Sequence, residues 1–225
     1  VATGCAPGWV RAGRWRPSCS RPGRPSLCWA ICSVFYGAHE RYAELGIPWR
    51  RGYLLYGPPG TGKTSLVTAL ASELHLNVCT LSLASPIVTD EKIHTLLAAV
   101  PQRSLLLIED VDAFFRQRDA AHAQVKLSFS GFLNALDGVA TQEGNVLFMT
   151  TNHAERLDEA LIRAGRIDER VALGTCDEDQ LRRLYLKFQP DEAAARAYAA
   201  ENVGKALSPA QVQGELMRRF GAVKN

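Results

Sequence analysis

Gly57-Pro58-Pro59-Gly60-Thr61-Gly62-Lys63-Thr64 is the stretch of this 225-residue chain whose residue types and spacing point most directly to chemistry. The apolar run Tyr53-Leu54-Leu55-Tyr56 precedes it, and a helix-forming stretch with periodic apolar positions (Leu66, Ala69, Leu70, Leu74) follows. Strand, glycine-rich turn and helix in that order are the context in which G-x-x-x-x-G-K-[ST] cradles a polyphosphate. The glycines let backbone N–H groups turn inward, and the positive end of the following helix adds its partial charge at the same spot. Lys63 is expected to meet the β and γ phosphates. The Thr64 hydroxyl is placed to ligate the Mg²⁺ bridging them, since a hard cation prefers oxygen ligands. The bland alternative, a glycine-rich turn that binds nothing, leaves Gly-Lys-Thr after a strand without a reason.

A second group lies at the end of Leu105-Leu106-Leu107-Ile108-Glu109-Asp110. Phosphate hydrolysis needs one carboxylate to hold the hydrated metal and another to orient and deprotonate the attacking water. Register assigns Glu109 to the metal and Asp110 to the water, with Asp112 as the acid best suited merely to cap the following turn. Asn152, at the end of the next apolar run, is placed to hold the lytic water; a turn-stabilising asparagine is the alternative. Arg163 and Arg166 are three apart in Leu161-Ile162-Arg163-Ala164-Gly165-Arg166-Ile167-Asp168, outside the phosphate loop's half of the site. They are expected to reach a neighbouring copy's γ-phosphate, where an arginine supplied in trans stabilises developing charge. A surface ion pair with Asp168 or Glu169 is the competing reading.

These residues need a scaffold that delivers strand ends to one edge. Apolar strands are predicted at 53–56, 77–83, 104–108, 145–150 and 169–175. Helices are predicted after the loop and at 89–100 (capped by Thr89 or Asp90), 129–136 and 158–163, with a polar stretch at Arg116–Gln124. Such alternation specifies an α/β fold with a doubly wound, mostly parallel five-stranded sheet that binds ligands at the strands' carboxyl ends. Beyond Asp177 only helical patterns follow, at 177–188, 191–202 and 208–220. The expected organisation is therefore an Arg/Pro/Cys-rich segment at 1–38 that is disordered or unreliable, a core at 39–176 and a small helical domain at 177–225.

The net charge of +3 is misleading as a hint of nucleic acid, because the first 39 residues hold five arginines and no acid. The remainder is slightly acidic, so no nucleic-acid partner is expected. Cys5, Cys19, Cys28 and Cys32 lie in that leading stretch and fit neither a zinc site nor a disulfide framework; Cys79 and Cys176 are expected on strands as small hydrophobes. The default compartment is a reducing one. The five histidines lack metal spacing, and H-E-x-x-H is absent. The leading stretch faintly resembles an organelle transit peptide; an initial Val1 favours an incomplete or wrongly assigned amino terminus. Its longest apolar run is too short to span a bilayer, so membrane attachment is expected only through a segment outside this sequence.

The phosphate loop, the acidic strand end, Thr150-Thr151-Asn152 and Leu157 to Arg166 together resemble the AAA family of ATPases, which act as ring oligomers. Arg51 to Gly60, Phe129 to Val139, Phe148 to Asn152 and Leu207 to Gly214 are similar, more narrowly, to its branch of mitochondrial chaperones that move a folded iron-sulfur protein across the inner membrane for respiratory complex III. The resemblance covers roughly residues 40–220. It implies ATP and Mg²⁺ as ligands and a homo-oligomeric ring handling a protein cargo at the mitochondrial inner membrane. In that family the 177–225 helices form a lid, Asn152 is a sensor, and Arg163 and Arg166 are the arginine fingers. Two departures stand out. The acidic pair reads Glu-Asp where most AAA proteins read Asp-Glu, and Ala164 replaces the usual proline between the arginines. The segment Ala84 to Thr89 has no aromatic to grip an extended chain, which suits folded cargo. The expected function is ATP hydrolysis driving such a chaperone. The alternatives are an ATP-binding scaffold with negligible turnover, another membrane-associated AAA ATPase and, least favoured, a nucleic-acid remodeller.

Overall fold

The computed structural model describes residues 34–113, 127–139 and 143–221. The expectations for residues 1–33 and for Arg116–Gln124 lie outside them. In chain order the elements are α1 (His39–Glu44), β1 (Arg51–Tyr56), α2 (Lys63–Glu73), β2 (Asn77–Ser82), α3 (Asp90–Ala98), β3 (Ser104–Glu109) and α4 (Phe129–Val139). They continue with β4 (Val146–Thr151), a 3₁₀ turn (Ala154–Arg156), β5 (Glu169–Ala172), α5 (Glu178–Leu186), α6 (Glu192–Asn202) and α7 (Pro209–Phe220).

The five strands form one sheet of order β2-β3-β4-β1-β5, and each pairing is parallel. Parallel strands covered on both faces must be apolar on both, and alternate residues go to opposite sides. Tyr53, Leu55, Leu105, Leu107, Val146 and Phe148 pack with Val67 and Leu70 of α2 on one face. Leu54, Leu106, Ile108 and Met149 pack with Ile93 and Leu97 of α3 and Phe132 and Leu136 of α4 on the other. Each fully buried side chain of this kind contributes about 1.5–3 kcal/mol, so the sheet is a stiff platform for whatever its ends carry. The helices α5–α7 close around their own cluster, Leu181, Leu184, Tyr185, Ala195, Tyr198, Val212 and Leu216.

Caps set the helix starts. Thr89, not Asp90, caps α3 by accepting from Lys92 N. Asp177 with Gln180 and Ser208 with Gln211 form reciprocal capping boxes on α5 and α7, and Pro209 opens α7 at a position that needs no N–H donor.

Three expectations change. The helix predicted at 158–163 is a series of turns, because Leu161 N bonds Asp158 O and Ile162 N bonds Glu159 O, three residues back rather than four. The fifth strand stops at Ala172. Its partner β1 turns away at Gly57, and the last bond between them runs from Leu173 N to Tyr56 O at 2.8 Å. Cys176 consequently lies beyond the sheet and buries itself against α5–α7, whereas Cys79 is on β2. At the amino edge Phe35, on the far side of the boundary expected at 38/39, is 2% exposed and stacks on Trp49, whose Nε1 donates to the Phe35 carbonyl.

Candidate functional site

The carboxyl ends of β1, β4 and β3 are neighbours in the sheet, so the loop after β1, the Thr-Asn after β4 and the acids after β3 converge. Gly57, Gly60 and Gly62 have φ of 141°, 76° and 93°, backbone that other residues adopt only with strain. Gly57 has a second reason to lack a side chain: a Cβ there would lie 2.0 Å from the Leu173 carbonyl oxygen. Gly62 stands at the cap of α2 with no side chain over the helix end, which leaves the first-turn N–H groups pointing at the loop.

Lys63 is 8% exposed. Its Nζ donates to Gly57 O (2.8 Å), Pro58 O (2.9 Å) and Asn152 Oδ1 (2.7 Å). Burial pulls its pKa below the ordinary lysine value, against the opposing pull of Asp110 and Asp112. The amide of Asn152 also donates from Nδ2 to Asp110 Oδ1 at 3.3 Å, so Asn152 bridges the lysine and the second acid. Asp110 has a left-handed φ of 48°, held by its N–H to Thr150 Oγ1 at 3.1 Å. Glu109 faces the other way, accepting from the Thr64 hydroxyl at 2.6 Å.

Asp112 is completely buried and does more than close a turn. One of its oxygens, Oδ1, accepts from Thr151 Oγ1 (2.9 Å) and from Asn152 N (3.2 Å), stapling the end of β4 to the residues after β3.

The donor set fits Mg²⁺ carried in by a polyphosphate. Thr64 and Glu109 present hard oxygen atoms side by side at the mouth of the glycine cradle. Among the described residues no three His, Cys, Asp or Glu side chains are grouped to hold a metal alone. An ion here would therefore take most of its ligands from phosphate and water, with Thr64 as the direct protein ligand and Glu109 behind it.

The arginines do not join this group. The Arg166 carbonyl passes so close to the start of β1 that a Cβ on Gly52 would lie 1.8 Å from it. Gly52 N donates to Asp168 Oδ2 and Asp168 N donates to Gly52 O, both at 2.8 Å. The phosphate loop leaves the opposite end of that strand, about 15 Å away at 3.3 Å per residue. Arg166 pairs neither with Asp168 nor with Glu169. It forks onto Asp137 of α4, Nε to Oδ1 at 2.8 Å and Nη2 to Oδ2 at 2.7 Å, and its Nη1 donates to the Ala160 carbonyl. Glu169 is taken by Arg51 at 3.0 Å. Arg163 is exposed.

Three contributors escaped the sequence. Gly52 could have been found, since an isolated glycine inside a strand marks close backbone approach. Asp137 carried no signal, because its partner lies 29 residues away. The third is the start of α7: Ala210 N donates to Gly60 O at 3.2 Å, and a Cβ on Gly60 would meet Ser208 Oγ and the Ala210 methyl, so α7 rests on the phosphate loop.

Comparison with known proteins agrees with this geometry. The family model described as "ATPase family associated with various cellular activities (AAA)" matches residues 53–175. The chain is 50% identical over 187 residues to the human mitochondrial chaperone BCS1, covering 78% of this chain and 45% of that protein. Identity to the Danio rerio mitochondrial chaperone BCS1 is 46% over 207 residues, covering 85% of this chain and 49% of the relative. Identity to the probable mitochondrial chaperone BCS1-B of Dictyostelium discoideum is 39% over 254 residues, 96% of this chain and 56% of the relative. The chain thus spans about half the length of these curated relatives. With the phosphate cradle, the acidic strand end and the sheet order all in place, this chain belongs to the AAA family of ATPases.

Proposed function

We propose that the chain is the ATP-hydrolysing module of a mitochondrial chaperone, working as a homo-oligomeric ring in which each nucleotide lies between two copies. The observation that carries this reading is a separation. Lys63, Thr64, Glu109, Asp110 and Asn152 interlock at one end of the sheet, while the arginine-bearing turn is fixed to the opposite end through Gly52. An extended arginine reaches roughly 7 Å from its Cα by bond lengths, about half the intervening distance. A guanidinium from this turn therefore serves another copy's phosphate or none.

Within one copy the glycine cradle and Lys63 bind the triphosphate. Asp110 orients the attacking water and takes its proton, and Asn152 holds Asp110 and Lys63 in register. Asp110 is one methylene shorter than a glutamate, about 1.5 Å, so the water stands closer to the strand tip than a glutamate would place it. Thr64, with Glu109 behind it, would hold Mg²⁺, which would supply neutralisation of the phosphates' charge. Residues 39–176 act as the core and 177–225 as a lid, whose α7 feels the loop through Gly60 and carries the change round the ring. The similarity to mitochondrial chaperones supports a protein cargo, and by resemblance a folded iron-sulfur protein of an inner-membrane respiratory complex. Among the described residues no helix is long and apolar enough to cross a membrane.

Lys63→Ala tests the site: it should abolish binding of a fluorescent ATP analogue, and undiminished affinity would refute the assignment. Phosphate release per chain should rise with protein concentration as interfaces form. Binding without turnover at any concentration would favour the scaffold reading instead.

A further inference from the structure

We propose that the two arginines have different jobs: Asp137 clasps Arg166 inside its own subunit, so that Arg166 anchors the turn and Arg163 alone lends its guanidinium to the neighbouring copy. The division rests on the interface reading above, and it changes what the second arginine is for.

Each of the three nitrogens of the Arg166 guanidinium already has an acceptor within its own subunit. Nε and Nη2 grip both oxygens of Asp137, and Nη1 donates to the Ala160 carbonyl. The side chain is only 14% exposed. A bidentate fork of this kind is among the stronger and most direction-bound ion pairs available to a protein. Reaching outward would break all of it and leave Asp137 facing only Arg50, the other cation that bears on it. The carboxyl of Asp137 is held below its ordinary range, first by the hydrogen bond from Arg166, and the guanidinium is raised by the same bond.

The backbone is committed as well. With no side chain at Gly52, the Arg166 carbonyl lies hard against β1, and the reciprocal bonds between Gly52 and Asp168 lock the next turn of chain there. Arg163 is joined to this anchor through its own carbonyl, which accepts from Arg166 N and Ile167 N at 3.1 Å each. Between the two arginines no proline fixes φ at Ala164 and Gly165 sits at φ 90°, so only backbone hydrogen bonds stiffen the turn from within. Its direction comes from the clasp together with the backbone contacts at Gly52 and Asp168. Asp137 is thus a positioning residue acting on Arg163 through Arg166.

A double-mutant cycle read by steady-state turnover tests this. Arg166→Gln and Asp137→Asn should each lower kcat by a similar factor, on the order of tenfold, and the double variant should be no worse than either, because all three break one pair. Arg163→Ala should lose at least about a hundredfold. Affinity for an ATP analogue should stay at the parental value in Arg166→Gln and Asp137→Asn, whose side chains are engaged with each other and touch no phosphate. Each variant, mixed with Lys63→Ala protomers, should regain activity, placing the defect on the arginine side of the interface as loss of folding would not. If Asp137→Asn prevents folding, Asp137→Glu, which keeps the charge but misplaces the fork, is read the same way. The clasp is overturned if Arg166→Gln falls as far as Arg163→Ala while Asp137→Asn keeps parental turnover, if the two losses add, or if neither variant changes kcat. Parental turnover in Arg163→Ala would instead remove the interface reading on which the clasp depends.

Discussion

Replacing Asp112 should damage both stability and turnover, and the size of each effect follows from two hydrogen bonds. Asp112→Ala strands the Thr151 hydroxyl, which is fully buried, and the Asn152 N–H, which is partly so. A buried donor left without its acceptor costs about 1–3 kcal/mol. The first bond belongs near the top of that range and the second, which water can partly replace, near the bottom, for a total of about 3–4 kcal/mol. A chain of this length loses about 2–4 °C in melting temperature per kcal/mol, so a drop of roughly 10 °C is expected. Asp112→Asn keeps an acceptor oxygen of the same reach and should cost only about 1 kcal/mol. Its kcat should still fall, because a neutral acceptor holds the Asn152 backbone less firmly, and Asn152 is what joins Lys63 to Asp110. Thermal unfolding by circular dichroism and phosphate release by the same preparations provide the comparison. If Asp112→Ala melts within about 2 °C of the parent and turns over normally, the acid is a passive turn residue and the coupling between β3 and β4 described here is wrong.

Other expectations come from single contacts. Gly52→Ala puts a methyl 1.8 Å from the Arg166 carbonyl oxygen, backbone that cannot swing aside, so both melting temperature and kcat should fall while affinity for an ATP analogue is retained; full turnover in that variant would show that the arginine turn need not lie against β1. Burial lowers the pKa of Lys63, so in the ligand-free protein it loses its proton earlier than an exposed lysine as pH rises; ATP affinity should begin to decline correspondingly early, measured by titration at fixed ionic strength. For Asp137 the shift is downward, so its pair with Arg166 contributes stability above the ordinary carboxylate pKa of about 3.9 and loses it as pH falls through the lower folded value. The melting-temperature difference between parent and Asp137→Asn should therefore be flat from about pH 8 to 5 and shrink only in strong acid.

Much of this was legible in the sequence because it is local. The phosphate loop announces itself since glycines, lysine and threonine must be contiguous to wrap one ligand, and strands buried on both faces read as unbroken apolar runs. A mostly parallel five-stranded sheet followed from the alternation of strand and helix, whereas the order β2-β3-β4-β1-β5 is seen only in the structure. What the sequence concealed is distant pairing. Nothing in the spacing of Arg166 indicated that its partner would be Asp137 rather than the adjacent Asp168 or Glu169, because that choice is made by how α4 packs against β3 and β4. Asp112 was expected to serve a local turn for the same reason: its partners, Thr151 and Asn152, are adjacent to it only across the sheet. The turns at 158–163 were misjudged as helix because Leu157, Leu161 and Ile162 have helical spacing; those apolar groups are packed into the core from consecutive three-residue turns instead.

The most direct measurement of the central idea, a nucleotide served by two copies, is complementation between inactive partners. Lys63→Ala protomers keep the arginine turn and lack the phosphate grip; Arg163→Ala protomers have the converse defect. Each alone should be inactive. Mixed in equal amounts and allowed to reassemble, about a quarter of the interfaces in a head-to-tail ring would pair an intact loop with an intact arginine, and turnover should return to about that fraction of the parental rate. Mixtures that remain as inactive as their components, in rings shown to have exchanged subunits, would contradict the account.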